Sequence, residues 1–159
     1  MSGDLYYEDF HVGQSFESGY ATMERDRLVR FAEEFDPQPQ HLGEDSAATS
    51  QFGTLVASGW HTGALTMRLQ LEAMMFRVPG GAMGAQIDTL AWRRPVQPGD
   101  RLRAVITVKD TRESRSRPGR GLLTLHTATF NQRDEVVMEM TAAVLVPKRP
   151  EPGAQAGRH

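Results

Sequence analysis

Asp36, His41 and Gly59 are the residues of this chain whose types and spacing suit chemistry. A carboxylate and an imidazole share the short segment Asp36-Pro37-Gln38-Pro39-Gln40-His41, where they can take up and return a proton near neutral pH. Gly59 closes the stretch Phe52-Gly53-Thr54-Leu55-Val56-Ala57-Ser58-Gly59, and a glycine can bring a bare backbone N–H against developing negative charge. Pro37 and Pro39 have no N–H and push Asp36 and Gln38 out of the α region, so a helix arriving at Asp36 must stop there. The segment is expected to run extended, with Asp36 and His41 on one stiff loop.

The elements around this segment follow from periodicity. Leu28, Val29, Phe31, Ala32 and Phe35 recur at the spacing of one buried helical face, so a helix capped by Thr22 is expected to deliver Asp36 at its C-terminal end. A short helical turn is expected over Glu44 to Thr49, and a long, largely buried helix from about Trp60 to Phe76. Residues Thr66 to Glu72 alternate as a strand would, but they are strong helix formers and Arg68 and Glu72 stand four apart, which favours helix. After the Gly80-Gly81-Ala82-Met83-Gly84 break the period becomes two. Strands are expected over Gln86 to Val96, over a run in which Leu102, Ala104, Ile106 and Val108 alternate with polar residues, over Gly121 to Phe130 and over Val136 to Val146. Pro98-Gly99 suits a type II turn, and Asn131 to Glu135 suits a hairpin connection. Helices first and consecutive strands afterwards indicate an α+β fold with an antiparallel sheet against one long helix.

Composition narrows the function classes. At 159 residues, 39% apolar and 24% charged, the chain fits one domain with a real core. A net charge of -2 gives no field to hold nucleic acid. Without cysteine there is neither a disulfide nor a thiolate nucleophile, and the histidines are too dispersed for a metal spacing. The acidic start, Met1 to Asp9, lacks the positive and apolar regions of a secretory signal, and the longest apolar helix is interrupted by Arg68 and Glu72. A cytoplasmic protein that does not cross a membrane is expected. Residues 1–147 are expected to form the domain, with 148–159 a disordered tail rich in Pro, Gly and Ala.

The order of these motifs resembles the MaoC-like, (R)-specific enoyl-CoA hydratase family of single hotdog domains. Asp36, Pro39 and His41 fall on the family's Asp-x-Asn-Pro-x-His signature, with Gln38 standing where Asn is usual. The Tyr7 to Gln14 opening, Ala57-Ser58-Gly59-Trp60-His61-Thr62 and the run from Trp92 to Asp100 resemble the same domains. The resemblance implies a hotdog fold wrapped around the helix from about Trp60, at least a homodimer, and reversible hydration of a trans-2-enoyl thioester to a 3-hydroxyacyl thioester. It implies a coenzyme A or acyl-carrier substrate, with neither metal nor redox cofactor. Asp36 and His41 would hold one water between them, and which of them takes the proton stays open. Gly59, at a helix N-terminus, would give its N–H to the thioester oxygen.

Gln38, Ser58 and Trp60 are assigned to substrate contact, Trp60 because it borders Gly59. Arg93, and Arg117 and Arg120 on the loop Arg112 to Arg120, are candidates for holding coenzyme A phosphates, a solvated basic loop being the alternative. Trp92 and the methionines are expected in the packing, and His61 in a buried, hydrogen-bonded role. Two other functions fit less of the pattern: a hotdog thioesterase, and a catalytically silent acyl-CoA-binding subunit.

Overall fold

The computed structural model describes residues 3–153. Two short strands, Ser15–Glu17 (β1) and Ala21–Thr22 (β2), precede the first helix, and neither has a sequence pattern long enough to announce it. Thr22 therefore lies in a strand, and the helix expected to begin at its cap begins later, at Arg25–Phe35 (α1), behind an extended Glu24 that makes no side-chain cap. Leu28, Val29 and Ala32 are buried as the periodicity requires. Phe35, at the last helical position, is 65% exposed.

The helix stops at the Asp36 boundary, but the extended run is shorter than expected. Pro39 opens a one-turn helix, Pro39–Leu42 (α2), at the position where a missing N–H and a preset φ favour helix. Extended backbone is confined to the residues before it, with φ -95 and ψ 150 at Gln38, so His41 rides a helical turn and not a loop. Glu44–Ala48 (α3) follows.

Gly59–Ala73 (α4) is the long helix, followed by a single 3-10 turn, Met75–Arg77. The alternating stretch is helical, and Arg68 Nε reaches Glu72 Oε1 at 2.6 Å. The helix is not largely buried. Thr62, Thr66, Leu69 and Gln70 are fully covered and Leu65, Leu71 and Ala73 half-covered against the core, while Trp60 and Met67 are 61% and 44% exposed. Three of the covered residues are polar, and two find partners on the sheet. Thr66 Oγ1 lies 2.8 Å from Thr129 Oγ1, and Thr127 donates to Gln70 Oε1 at 2.9 Å. Polar groups can be buried there because each is hydrogen-bonded.

The strands Met83–Trp92 (β3), Arg101–Glu113 (β4), Arg120–Phe130 (β5) and Val136–Pro147 (β6) complete a six-stranded antiparallel sheet in the order β1-β4-β5-β6-β3, with β2 also on β4. Leu102, Ala104, Ile106 and Val108 are fully buried, so the alternation read on β4 selects the face that meets the helix. The strand expected to reach Val96 ends at Trp92, because the Arg93 and Arg94 N–H groups both turn to the Val137 carbonyl and close the ladder. Gly99 has φ 87, as a type II turn requires.

β3 is an edge strand, exposed along nearly its whole length. The tail expected after Pro147 stays tied to the body, Lys148 N–H donating to Gly119 O and Arg149 Nη2 reaching Asp9 Oδ2 at 2.6 Å. Residues 154–159 of that tail lie outside the described residues. No described helix is long and apolar enough to cross a membrane.

Candidate active site

His41 is held by its backbone surroundings. Its Nδ1 lies 2.6 Å from the Val56 carbonyl, and a carbonyl only accepts, so Nδ1 carries the hydrogen and Nε2 is an acceptor in the neutral ring. The Val56 N–H donates back to Gln40 O at 3.0 Å, and the Ala57 N–H donates to Val96 O at 2.8 Å. The segment that leads into α4 is thus strapped to α2 on one side and to the end of the Trp92–Val96 run on the other. These long-range bonds bring residues 41 and 59 together.

Asp36 faces the other ring nitrogen, with Oδ2 at 3.4 Å from His41 Nε2, longer than a good hydrogen bond. Gln38 Nε2 donates to Asp36 Oδ1 at 2.6 Å and Ser58 Oγ donates to Oδ2 at 2.7 Å. Burial pushes the Asp36 carboxyl up, but the bonds from Gln38 and Ser58 and the nearby His41 charge outweigh it and hold the group below its ordinary value. Asp36 is therefore a carboxylate at neutral pH, and His41 in its neutral form offers Nε2 as a second acceptor.

Ser58 is fully buried and caps α4, its Oγ accepting from Trp60 N–H at 3.3 Å while it donates to Asp36. With Gln38, it braces the carboxylate and does not face the cavity, which differs from the substrate contact expected of both. The Gly59 N–H donates to no protein acceptor among the described residues. Glycine is needed there for a reason not visible in the motif. A Cβ at residue 59 would lie 2.6 Å from the Trp92 ring, and Trp92 Nε1–H donates to Gly59 O at 2.9 Å.

A cavity of about 460 Å³ opens beside His41, its walls including Gly59, Trp60, Trp92 and Arg93. Asp36 stands behind His41. Trp92, expected mainly in packing, is a wall of the cavity, with Phe52 and Thr62. Trp92 sits opposite buried Met138 on β6, a pairing that local sequence pattern does not announce. Arg93 lines the cavity but is held by Glu139 at 2.9 Å.

Arg117 and Arg120 are not brought to His41. They flank a separate cavity with Gly80, Gly81 and Met83, at the opposite end of β3 from Trp92. The strand between them is ten residues long from end to end, roughly 30 Å at ordinary strand rise. His61, expected to be hydrogen-bonded, stacks on Phe31 at 4.7 Å and leaves its buried Nδ1 without a partner among the described residues. Burial, then the Arg27 charge, lowers the His61 pKa. No three His, Asp or Glu side chains among the described residues converge as metal ligands would.

Comparison with known proteins bears on this arrangement. The family profile described as "MaoC like domain" matches residues 9–129. The 3-hydroxybutyryl-CoA dehydratase of Methylorubrum extorquens is 34% identical over 92% of this chain and 87% of its own. The (R)-specific enoyl-CoA hydratase of Rhodospirillum rubrum is 30% identical over 91% of this chain and 93% of its own. The solved MaoC-like dehydratase of Rhodospirillum rubrum superposes with a TM-score of 0.86 at 45% identity, covering 92% of this chain and 99% of that one. At the level of fold alone, a Mycobacterium tuberculosis protein described as having a double hotdog fold matches 99% of this chain with 49% of its own length, at a TM-score of 0.77 and 22% identity.

Proposed function

The chain belongs to the MaoC-like domain family, and from that premise we propose that it is a hydro-lyase that adds water reversibly to a trans-2-enoyl thioester, with coenzyme A as the carrier. The observation that carries the reading is the pairing of His41 Nε2 with Asp36 Oδ2, 3.4 Å apart at the edge of the cavity, with Asp36 Oδ1 and His41 Nδ1 already held by Gln38 and Val56. In the neutral ring the Nε2 lone pair has no protein donor, so a water in the cavity can give it a hydrogen while its own lone pair stays free.

The same geometry supports an order of proton movement. Both Asp36 oxygens accept hydrogen bonds, which lowers the carboxylate's basicity, whereas the His41 ring has a lone pair with no donor on it. The water oxygen bonds to the carbon β to the carbonyl, and its proton passes to His41 Nε2. The electron pair of the carbon–carbon double bond moves onto the thioester oxygen, where the free Gly59 N–H at the helix N-terminus meets it. The imidazolium, stabilised by Asp36, then returns the proton to the α carbon. Atoms and charge balance with water alone, and no metal or redox group is required.

We also propose a homodimer formed along the free edge of β3. Exposed Ile87, Met83 and Trp92 and an open hydrogen-bonding edge make this strand a natural surface for a second copy, as does the doubled fold of the Mycobacterium protein. A two-fold axis across β3 sets the Met83 end of one strand beside the Trp92 end of the other. Arg117 and Arg120 of one copy would then meet the coenzyme A phosphates at the other copy's cavity. Sedimentation should give a dimer that Ile87→Arg converts to monomer; a wild-type monomer contradicts this arrangement.

Product analysis with crotonyl-CoA tests the activity. Loss of the enoyl absorbance with formation of (R)-3-hydroxybutyryl-CoA supports a hydratase. Release of free coenzyme A would make the protein a thioesterase, and binding without turnover a silent acyl-CoA-binding subunit.

A further inference from the structure

Trp60 and Trp92 are the two tryptophans of the chain, and both stand at one point of the structure. Their rings meet edge-on, with centroids 5.2 Å apart at 83°, and both line the cavity beside His41. Trp92 is fixed in place by its bond to Gly59 O and by its close fit over the Gly59 backbone. Neither role is explained by the proton chemistry of Asp36 and His41.

A second cavity of about 360 Å³ lies on the same seam between α4 and the β3–β6 edge, walled by Met67, Gln70, Ile87, Met140 and Val144. Met67 follows Trp60 on one helical face by two turns, about 10 Å along the axis. On the sheet, Trp92 pairs with Met138 and the next inward-facing pair is Leu90 with Met140, a wall of the second cavity. Along this seam the first cavity forms a catalytic half and the second a distal half; the two share no lining residue, and the indoles line the first.

We propose that the Trp60–Trp92 pair determines acyl-chain length, stopping the chain within the catalytic half so that short-chain thioesters are preferred. The inference rests on the acyl-thioester reading above. Removing either indole should open the catalytic half toward the distal one, whose walls include Met67, Ile87 and Met140.

The test compares wild type, Trp92→Leu and Trp60→Ala in two ways. Calorimetric titration with the unreactive butyryl-CoA and octanoyl-CoA measures fit without chemistry, and kcat/KM for crotonyl-CoA and trans-2-octenoyl-CoA measures turnover. The wild type should favour the short member of each pair. The long-to-short ratio should rise by about tenfold or more in Trp92→Leu, the scale on which an apolar pocket discriminates by chain methylenes, and by less in Trp60→Ala. A ratio unchanged in both variants overturns the proposal, as does a wild type that already favours the octanoyl chain. Should Trp92→Leu fail to fold, Trp60→Ala decides, because its indole is 61% exposed and outside the core. Binding of butyryl-CoA without any turnover would contradict the hydratase while leaving the chain-length ratio readable, whereas binding of neither thioester would overturn both.

Discussion

The Trp92 end of β3 and its Met83 end both carry residues that chemistry could use, but they hold their polar groups differently. At the Trp92 end, each polar atom of Asp36 and of His41 Nδ1 has a fixed protein partner, and His41 is 5% exposed. At the Met83 end, Arg117, on the loop before β5, and Arg120, the first residue of β5, are exposed beside two glycines in left-handed conformation, Gly80 and Gly81. The first arrangement is preorganised and suits proton transfer, where geometry sets the rate. The second suits attraction of an anion, where charge matters more than geometry and salt weakens the effect.

Substitutions at the two ends should therefore differ in size and in kind. His41→Ala removes the proton carrier and should lower kcat/KM for crotonyl-CoA by about 10²- to 10⁴-fold, the range of positioned acid–base catalysis. Ser58→Ala removes both a donor to Asp36 and the cap of α4, and should lower stability by about 1–2 kcal/mol in denaturant unfolding, with a smaller fall in rate than His41→Ala. Arg117→Ala with Arg120→Ala should raise KM by about two- to fivefold, as exposed ion pairs do, with kcat unchanged and the effect fading in high salt. A large fall in kcat for the arginine pair would erase the contrast between the ends.

Acidification sharpens the same contrast. The Asp36 carboxyl lies below its ordinary value of 3.8 in the folded protein, so its stabilisation is whole above that value and is lost as pH falls through the lowered one. The stability difference between wild type and Asp36→Asn should not shrink through neutral and mildly acid pH, and should shrink only in strong acid. A difference that already shrinks in mildly acid solution would show that Asp36 is not held as a carboxylate.

The two ends also differ in what the sequence discloses. Pro37 stops α1 at Asp36 by local sterics, and the alternation on β4 marks its buried face, so both could be read from neighbours in the chain. The short β1 and β2 could not, because they exist only through pairing with β4. Pro39 looks like a breaker in the sequence, but its place at a first helical position makes it a starter. The bracing of Asp36 by Ser58 spans 22 residues, and the contact of Trp92 with Gly59 spans 33. Local pattern carries neither. The distance from Arg117 and Arg120 to His41 depends on strand order, which a cluster of arginines on one loop does not encode.

Hydration of crotonyl-CoA in water enriched in oxygen-18, followed by mass analysis of the product, is the most direct test of the proton and water chemistry assigned to His41 and Asp36. The label should enter the hydroxyl on the β carbon, with coenzyme A still attached, and this incorporation should fall to background in His41→Ala. Label in a free carboxylate, or incorporation undiminished in His41→Ala, would contradict it.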